Sequence, residues 1–308
     1  MRIFLTGATG FIGSRVAKCL VERGHDVTAL VISEEEMEHP RLAEIPKGKI
    51  RFEVGLLEDE ECVERALHRA GAETCIHLAW YAVPGKYLHA KENLDFLAAS
   101  AKLAKSFGDG GGKRFVGAGT CFEYDTSAGY LSESTPIKPA NVYAASKFAL
   151  FQTLSAYAPL VPMSFAWVRF FYLYGPNEPL VRLVPNVMAA LLKGERAQTT
   201  KGEQVRDFIH VDDAAAAVAE VALSSVTGAV NVGSGIPIAL RDLVAQIAAT
   251  CGATDRVDFG ALPYRENDPM FVCANVEKLK GIGWQPRFSL ESGLEEMHRT
   301  LKKELGLG

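Results

Sequence analysis

The sequence predicts an α/β fold, a doubly wound parallel sheet with a smaller C-terminal substrate-binding lobe. Three observations carry this. Short β-rich runs alternate with helical stretches over the first 170 residues, and the first strand meets its helix through a glycine-rich turn. After LYGPNEPL the elements shorten and Pro and Asn punctuate the chain. Alternation at this spacing favours parallel strands joined by crossover helices that cover both faces of a sheet.

The elements follow in order. The opening RIFLTGATGFIGSRVAKCLVERGHDVTALVI reads as strand, Gly-rich turn, apolar-spaced helix, GHD turn and second strand, one βαβ unit. IRFEVGLL, EDEECVERALHRAG and TCIHLAW continue as strand, helix and strand. A helix near 90–106, the strand KRFVGAG, a helix from Tyr143 to about Tyr157 and the strand SFAWVRFF complete the alternation. Residues 1–175 are therefore expected to form the dinucleotide-binding domain, with about 205–235 returning to it. The lobe is expected from about 176–204 and 236–308.

Composition narrows the partners. A net charge of −4 offers no basic footprint for nucleic acid or an anionic membrane. Apolar stretches stay below the ~18 residues needed to span a bilayer and MRIFLTGATG lacks a signal pattern, so a cytoplasmic protein is expected. Cys19, Cys62, Cys75, Cys121, Cys251 and Cys273 form no CxxC pair, which argues for reduced thiols and against a metal site.

Gly7, Gly10 and Gly13 in TGATGFIG stand between strand and helix, with Phe11 and Ile12 opening the helix. Glycine permits the tight turn and the close approach of backbone N–H groups to a pyrophosphate, and the helix N-terminus favours its charge. The turn predicts a bound dinucleotide. An acid ending the second strand would mark NAD, but Val31 stands there. No Arg follows to hold a 2′-phosphate, and Glu34, Glu35 and Glu36 would repel one. NAD and NADP both stay open, with charge leaning to NAD.

GTCFEYD, residues 119–125, puts a Thr, a Cys, an acid and a Tyr in one turn at a strand end. Twenty-three residues after Thr120 begins this set, Tyr143 and Lys147 in NVYAASK lie four apart and so share one helix face. Tyr87 and Lys91 in YLHAK have the same spacing without a hydroxyl-bearing strand end before them, and read as helix surface.

The ordered set TGATGFIG, IHLAW, ENLDFL, GT before CFEY, YAASK, RFFYLYGP and RDFIHVDD resembles the extended short-chain dehydrogenase/reductases, the NAD-dependent epimerase/dehydratase family. The resemblance covers nearly the whole chain and implies a Rossmann domain. By the same resemblance Thr120 is the catalytic hydroxyl, Tyr143 the acid-base group, and Lys147 the residue that lowers the Tyr143 pKa and holds the nicotinamide ribose. A phenol titrating near ~10 needs such a cationic neighbour to work at neutral pH. Leu56, Leu57, Leu78 and Ala79 would line the cofactor, while Asn93, Tyr172, Arg206 and Arg265 would bind a nucleotide-sugar substrate. A salt bridge to Asp207 is the alternative use of Arg206, and Asp212 and Asp213 read as helix caps. The resemblance also implies a homodimer through the helices near 90–106 and 143–157.

Departures from the family pattern narrow the activity. Cys121 and Phe122 replace the Asp-Glu pair of the 4,6-dehydratases, which argues against dehydration. Tyr172 stands where many members carry a sugar-binding Asn, and Leu56 where an acid usually meets adenine. The expected function is an NAD(P)-dependent oxidoreductase acting at C4 of a nucleotide-diphosphate sugar, a 4-keto-6-deoxy-sugar reductase. A nucleotide-sugar 4-epimerase is the alternative, and a non-catalytic dinucleotide-sensing regulator a more distant one.

Overall fold

The computed structural model describes residues 1–265 and 268–307. The chain runs β1 (Arg2–Thr6), α1 (Phe11–Glu22), β2 (Asp26–Val31), β3 (Ile50–Val54), α2 (Glu60–Ala70), β4 (Thr74–His77), α3 (Glu92–Asp109) and β5 (Arg114–Thr120). It continues through β6 (Tyr130–Leu131), α4 (Val142–Tyr157), β7 (Ser164–Phe170), β8 (Tyr172–Tyr174), α5 (Leu183–Leu192), β9 (Ala197–Thr199), β10 (Val205–His210) and α6 (Val211–Leu223). The remainder is β11 (Gly228–Val232), β12 (Pro237–Ala239), α7 (Leu240–Thr250), β13 (Val257–Phe259), β14 (Phe271–Ala274), α8 (Glu277–Lys280) and α9 (Leu290–Glu304).

Seven strands form one parallel sheet in the order β11-β7-β5-β4-β1-β2-β3. Its central strands are buried end to end, β4 and β5 without an exposed residue, as strands covered on both faces must be. On one face α1 and α6 bury Val16, Leu20, Val218 and Val221 against Leu5, Ile76 and Val168. On the other, Val63, Leu103, Leu150 and Leu154 from α2, α3 and α4 pack on Phe4, Phe115 and Trp167. Chain order reverses between β1 and β4, so the carboxyl ends of these strands open a crevice where a ligand of such a sheet binds.

The lobe is built differently from the sequence expectation. β10 does not join the large sheet; it lies between antiparallel β12 and parallel β14 in a smaller one, and also pairs β8. Of the 205–235 stretch, α6 and β11 pack with the large sheet, and β10 adds only Ile209 to its core. Residues 130–131 and 172–174 also serve the smaller sheet, through β6 on β14 and β8 on β10. Local pattern could not show this, because short strands take their sheet from distant partners. α5, α7 and α9 close the lobe around Val187, Met188, Leu243, Ile247, Leu294 and Met297.

Asp213 ties the C-terminal segment to the large sheet's helix layer. Rather than capping α6, its carboxylate accepts the backbone N–H groups of Arg287 (2.9 Å) and Phe288 (3.0 Å). The cap is His210, whose Nδ1 accepts Asp212 N–H at 3.3 Å, while Asp212 pairs with Arg15 at 3.4 Å. No helix among the described residues is long and apolar enough to cross a membrane.

Candidate active site

A single cleft of about 1660 Å³ runs from the Gly-rich turn, past the end of β5, to the lobe. At its first end Gly7 takes φ +76°, and a Cβ there would stand 2.7 Å from Ala79 N. A Cβ on Gly13 would fall on the Gly7 carbonyl oxygen. The turn closes through Gly10 N–H donating to Gly7 O at 3.0 Å. The first N–H groups of α1 have no acceptor inside the helix and face this cradle, which fits the pyrophosphate of a dinucleotide. Gly7, Gly10, Phe11, Ile12, Gly13, Leu56, Leu57, Leu78 and Ala79 all line the cleft. Thr6 Oγ1 accepts Ala79 N–H and meets His77 Nδ1 at 2.7 Å, while His77 Nε2 meets Ser100 Oγ at 2.7 Å. Burial pushes His77 down to about 3, so this strut between β1, β4 and α3 stays neutral.

Arg41 was not legible from sequence. It lies beyond β2 in a short 3-10 helix, Pro40–Leu42, and its guanidinium donates to Thr9 O (3.2 Å) in the turn and Asn177 O (3.1 Å) beyond β8. Desolvation lowers its pKa, the mark of a cation held largely by neutral carbonyls.

The turn after β5 holds Thr120 at the cleft. Gly117 and Gly119 leave no side chain on the face where the Trp167 indole crosses the strand; a Cβ at either would collide with it. Thr120 N–H donates to Glu123 Oε1 at 2.9 Å and Thr120 Oγ1 accepts Phe122 N–H at 3.3 Å, a capping box that fixes the hydroxyl at the strand end. Glu123 Oε1 also accepts Trp167 Nε1–H (3.0 Å), and its Oε2 accepts Arg169 Nε–H (2.8 Å). Cys121 is packing: burial pushes its thiol up to about 12. The Tyr124 hydroxyl is spent on Asn231 Oδ1 at 2.7 Å.

Asn141 caps α4 by accepting Ala144 N–H at 2.9 Å, which sets the helix that aims Tyr143 and Lys147 at this turn. Lys147 is buried; its Nζ donates to Ala118 O at 2.7 Å and sits 3.7 Å above the Trp80 ring. Desolvation pulls Lys147 down to about 7, opposed by the charge of Glu123. Burial raises the Tyr143 phenol, and the nearby Thr120 hydroxyl acts against that rise. Thr120, Tyr143 and Lys147 thus converge on one wall of the cleft.

On the lobe side, Arg206 is almost fully buried, donates to Asp268 Oδ1 at 2.7 Å and lies 5.3 Å from the Tyr172 ring. Its partner is not Asp207, whose carboxylate is caged by Ser234, Gly235 and Ala274 N–H groups. Exposed Arg265 lines the same cleft. Tyr172 meets Phe122 edge-on at 6.2 Å and Phe208 at 5.7 Å, so aromatic rings wall the region beside the turn after β5.

The family model described as NAD dependent epimerase/dehydratase matches residues 3–233. The chain belongs to that family. It is similar to a dTDP-6-deoxy-L-talose 4-dehydrogenase (NAD(+)) of Aggregatibacter actinomycetemcomitans, at 29% identity over 88% of this chain and 98% of the relative. A UDP-glucose 4-epimerase of Corynebacterium glutamicum is 25% identical over 93% of this chain and 91% of its own. The solved UDP-glucose 4-epimerase of Thermus thermophilus, in complex with NAD, superposes with a TM-score of 0.82 at 26% identity, covering 98% and 99% of the two chains. The protein is therefore an enzyme of the NAD-dependent epimerase/dehydratase family, with the Gly-rich cradle as the feature that fits its dinucleotide.

Two readings of this family member change with the structure. Asn93 does not line the cleft: fully buried, it accepts Trp80 Nε1–H (2.8 Å) and donates to Tyr87 O (2.7 Å) and Ala90 O (2.8 Å). It sets the Trp80 ring over Lys147 instead of meeting substrate. Tyr87 is not bare helix surface either; it is half-buried, lines the cleft and meets Tyr143 edge-on at 4.8 Å. Glu178, unremarked in the sequence, also lines the cleft with Oε2 buried and without a hydrogen-bond partner.

Proposed function

We propose that the enzyme reduces the C4 ketone of a nucleotide-diphosphate 4-keto-6-deoxy sugar. The observation that carries this reading is the aromatic wall of Phe122, Tyr172 and Phe208 beside Thr120 and Tyr143. Such a wall suits a sugar that presents a methyl group rather than a hydroxyl at C6, because burying a hydroxyl without a partner is costly. Similarity to the talose 4-dehydrogenase supports the same chemistry. When bound, the nicotinamide supplies or accepts the hydride. Tyr143 gives its phenolic proton to the C4 oxygen, Thr120 hydrogen-bonds that oxygen and orients it, and Lys147 as an ammonium makes Tyr143 a better acid. Arg206 and Arg265 would grip the diphosphate, for which planar guanidinium forks are suited.

The test is to mix protein with a dTDP-, CDP- or GDP-4-keto-6-deoxyhexose and NADH or NADPH and follow nicotinamide absorbance. Stoichiometric oxidation is expected. The second reading, a 4-epimerase, is favoured by the likeness to UDP-glucose 4-epimerases. It predicts no net oxidation and interconversion of saturated nucleotide sugars without added cofactor. The same reading includes a homodimer through α3 and α4, checked by light scattering on the purified protein.

A further inference from the structure

We propose that Glu123 is a positioning residue: anchored by Arg169 and Trp167, its carboxylate fixes the backbone of Thr120 and supplies the counter-charge that keeps Lys147 an ammonium. This rests on the Thr120–Tyr143–Lys147 assignment above.

The geometry singles out the charge rather than the hydrogen bonds. Glu123, Trp167 and Arg169 are each at most 1% exposed. Two neutral donors, Thr120 N–H and Trp167 Nε1–H, share Oε1. A glutamine would serve both. Using a carboxylate instead requires burying a second charge, Arg169, at 2.8 Å, and apolar replacements for such pairs are often more stable. Arg169 is braced in turn by the Tyr124 and Phe151 rings at 4.4 and 5.0 Å. β5 gives up side chains at Gly117 and Gly119 to make room for Trp167, and at Gly119 for the Glu123 carboxylate as well.

Lys147 is the group that needs this charge. Its one hydrogen-bond acceptor is the neutral Ala118 carbonyl, its other neighbour is an indole face, and among the described residues no carboxylate pairs with it within 4.0 Å. Around it stand the Tyr143 ring at 6.0 Å, the Trp167 ring at 6.0 Å, whose Nε1–H is held by Glu123 Oε1, and His77 on β4, held neutral. Arg169 holds Glu123 Oε2, not the Oε1 that Thr120 and Trp167 share, and Lys278 and Glu133 are the further charges around Arg169 and Glu123. Of the charged groups, Glu123 acts to retain the Lys147 proton.

Lysines labelled with ¹³C at Cε report their own protonation by NMR, and the Lys147 signal is assigned by its loss in Lys147→Met. This readout needs no substrate, so a mistaken sugar or reaction leaves it intact. In Glu123→Gln the Lys147 midpoint should move to lower pH by about one unit or more. Arg169→Met, which leaves Glu123 unopposed, should move it to higher pH. The pair Glu123→Gln/Arg169→Gln should lie between the first variant and the wild type, because the nearer charge dominates. Native circular dichroism accompanies each titration. Shifts of the same sign in both single variants, or an unmoved midpoint in a folded Glu123→Gln or double variant, would overturn the proposal. Failure of all three variants to fold would overturn it too, by making the pair a stability element alone.

Discussion

Tyr143, Thr120 and Lys147 make separable claims when changed one at a time. Tyr143→Phe removes the proton donor and nothing that touches the Gly-rich cradle. Turnover should fall by about 10²–10⁴-fold, with cofactor affinity, read by nicotinamide fluorescence titration, nearly kept. Lys147 titrates near 7 because it is desolvated. In the free enzyme it loses charge as pH rises through that value, so kcat/KM for the reduced cofactor in ketone reduction should fall from about pH 7 upward. A flat profile to pH 9 would exclude Lys147 as the charged partner. Glu178 gives a stability prediction of defined sign. Burial pushes its carboxyl up to about 8, above an unfolded value near ~4.3. The native state thus binds the extra proton between those values, and stability falls as pH rises through them. Glu178→Gln should stabilise the protein by up to about 5 kcal/mol at pH 9 and change little at pH 4, as measured by denaturant unfolding.

Elements show where sequence reading succeeds and where it stops. The Gly7-Gly10-Gly13 spacing and the Tyr143–Lys147 step are local, set by one turn and one helix face, so their cleft positions followed from the sequence. The large parallel sheet followed likewise from alternation, though not its strand number. Glu123 did not, since its partners Trp167 and Arg169 come from β7, 44 and 46 positions away. The T-x-x-E spacing of Thr120 and Glu123 was the one local signal for it. Asn93 misled for the same reason: only the fold shows that Trp80 uses its amide. The 205–235 stretch was expected to return whole to the first domain, but β10 pairs with β8, β12 and β14 instead. Gly119→Ala tests the element-scale account of β5. Its Cβ would collide with Trp167 and Glu123, so the variant should unfold at markedly lower temperature, whereas Gly111→Ala, with open space at its φ of +84°, should cost far less.

The described residues form three sheets, of seven, five and two strands, with one cleft bordered by the two larger, and Arg41 at that cleft joins two distant segments. One side chain bonds Thr9 in the first loop of the chain and Asn177 in the loop that leads into the lobe, 136 positions from Arg41 itself. A stitch that ties the Gly-rich turn to the loop beyond β8 would act on time rather than affinity alone, if a dinucleotide in the cleft must part these segments to leave. Arg41→Ala should therefore speed cofactor escape, measured by stopped-flow displacement, while the entry rate changes less. An enzyme built this way would hand its cofactor back slowly, and the rhythm of its turnover would be kept by a latch remote from Thr120 and Tyr143.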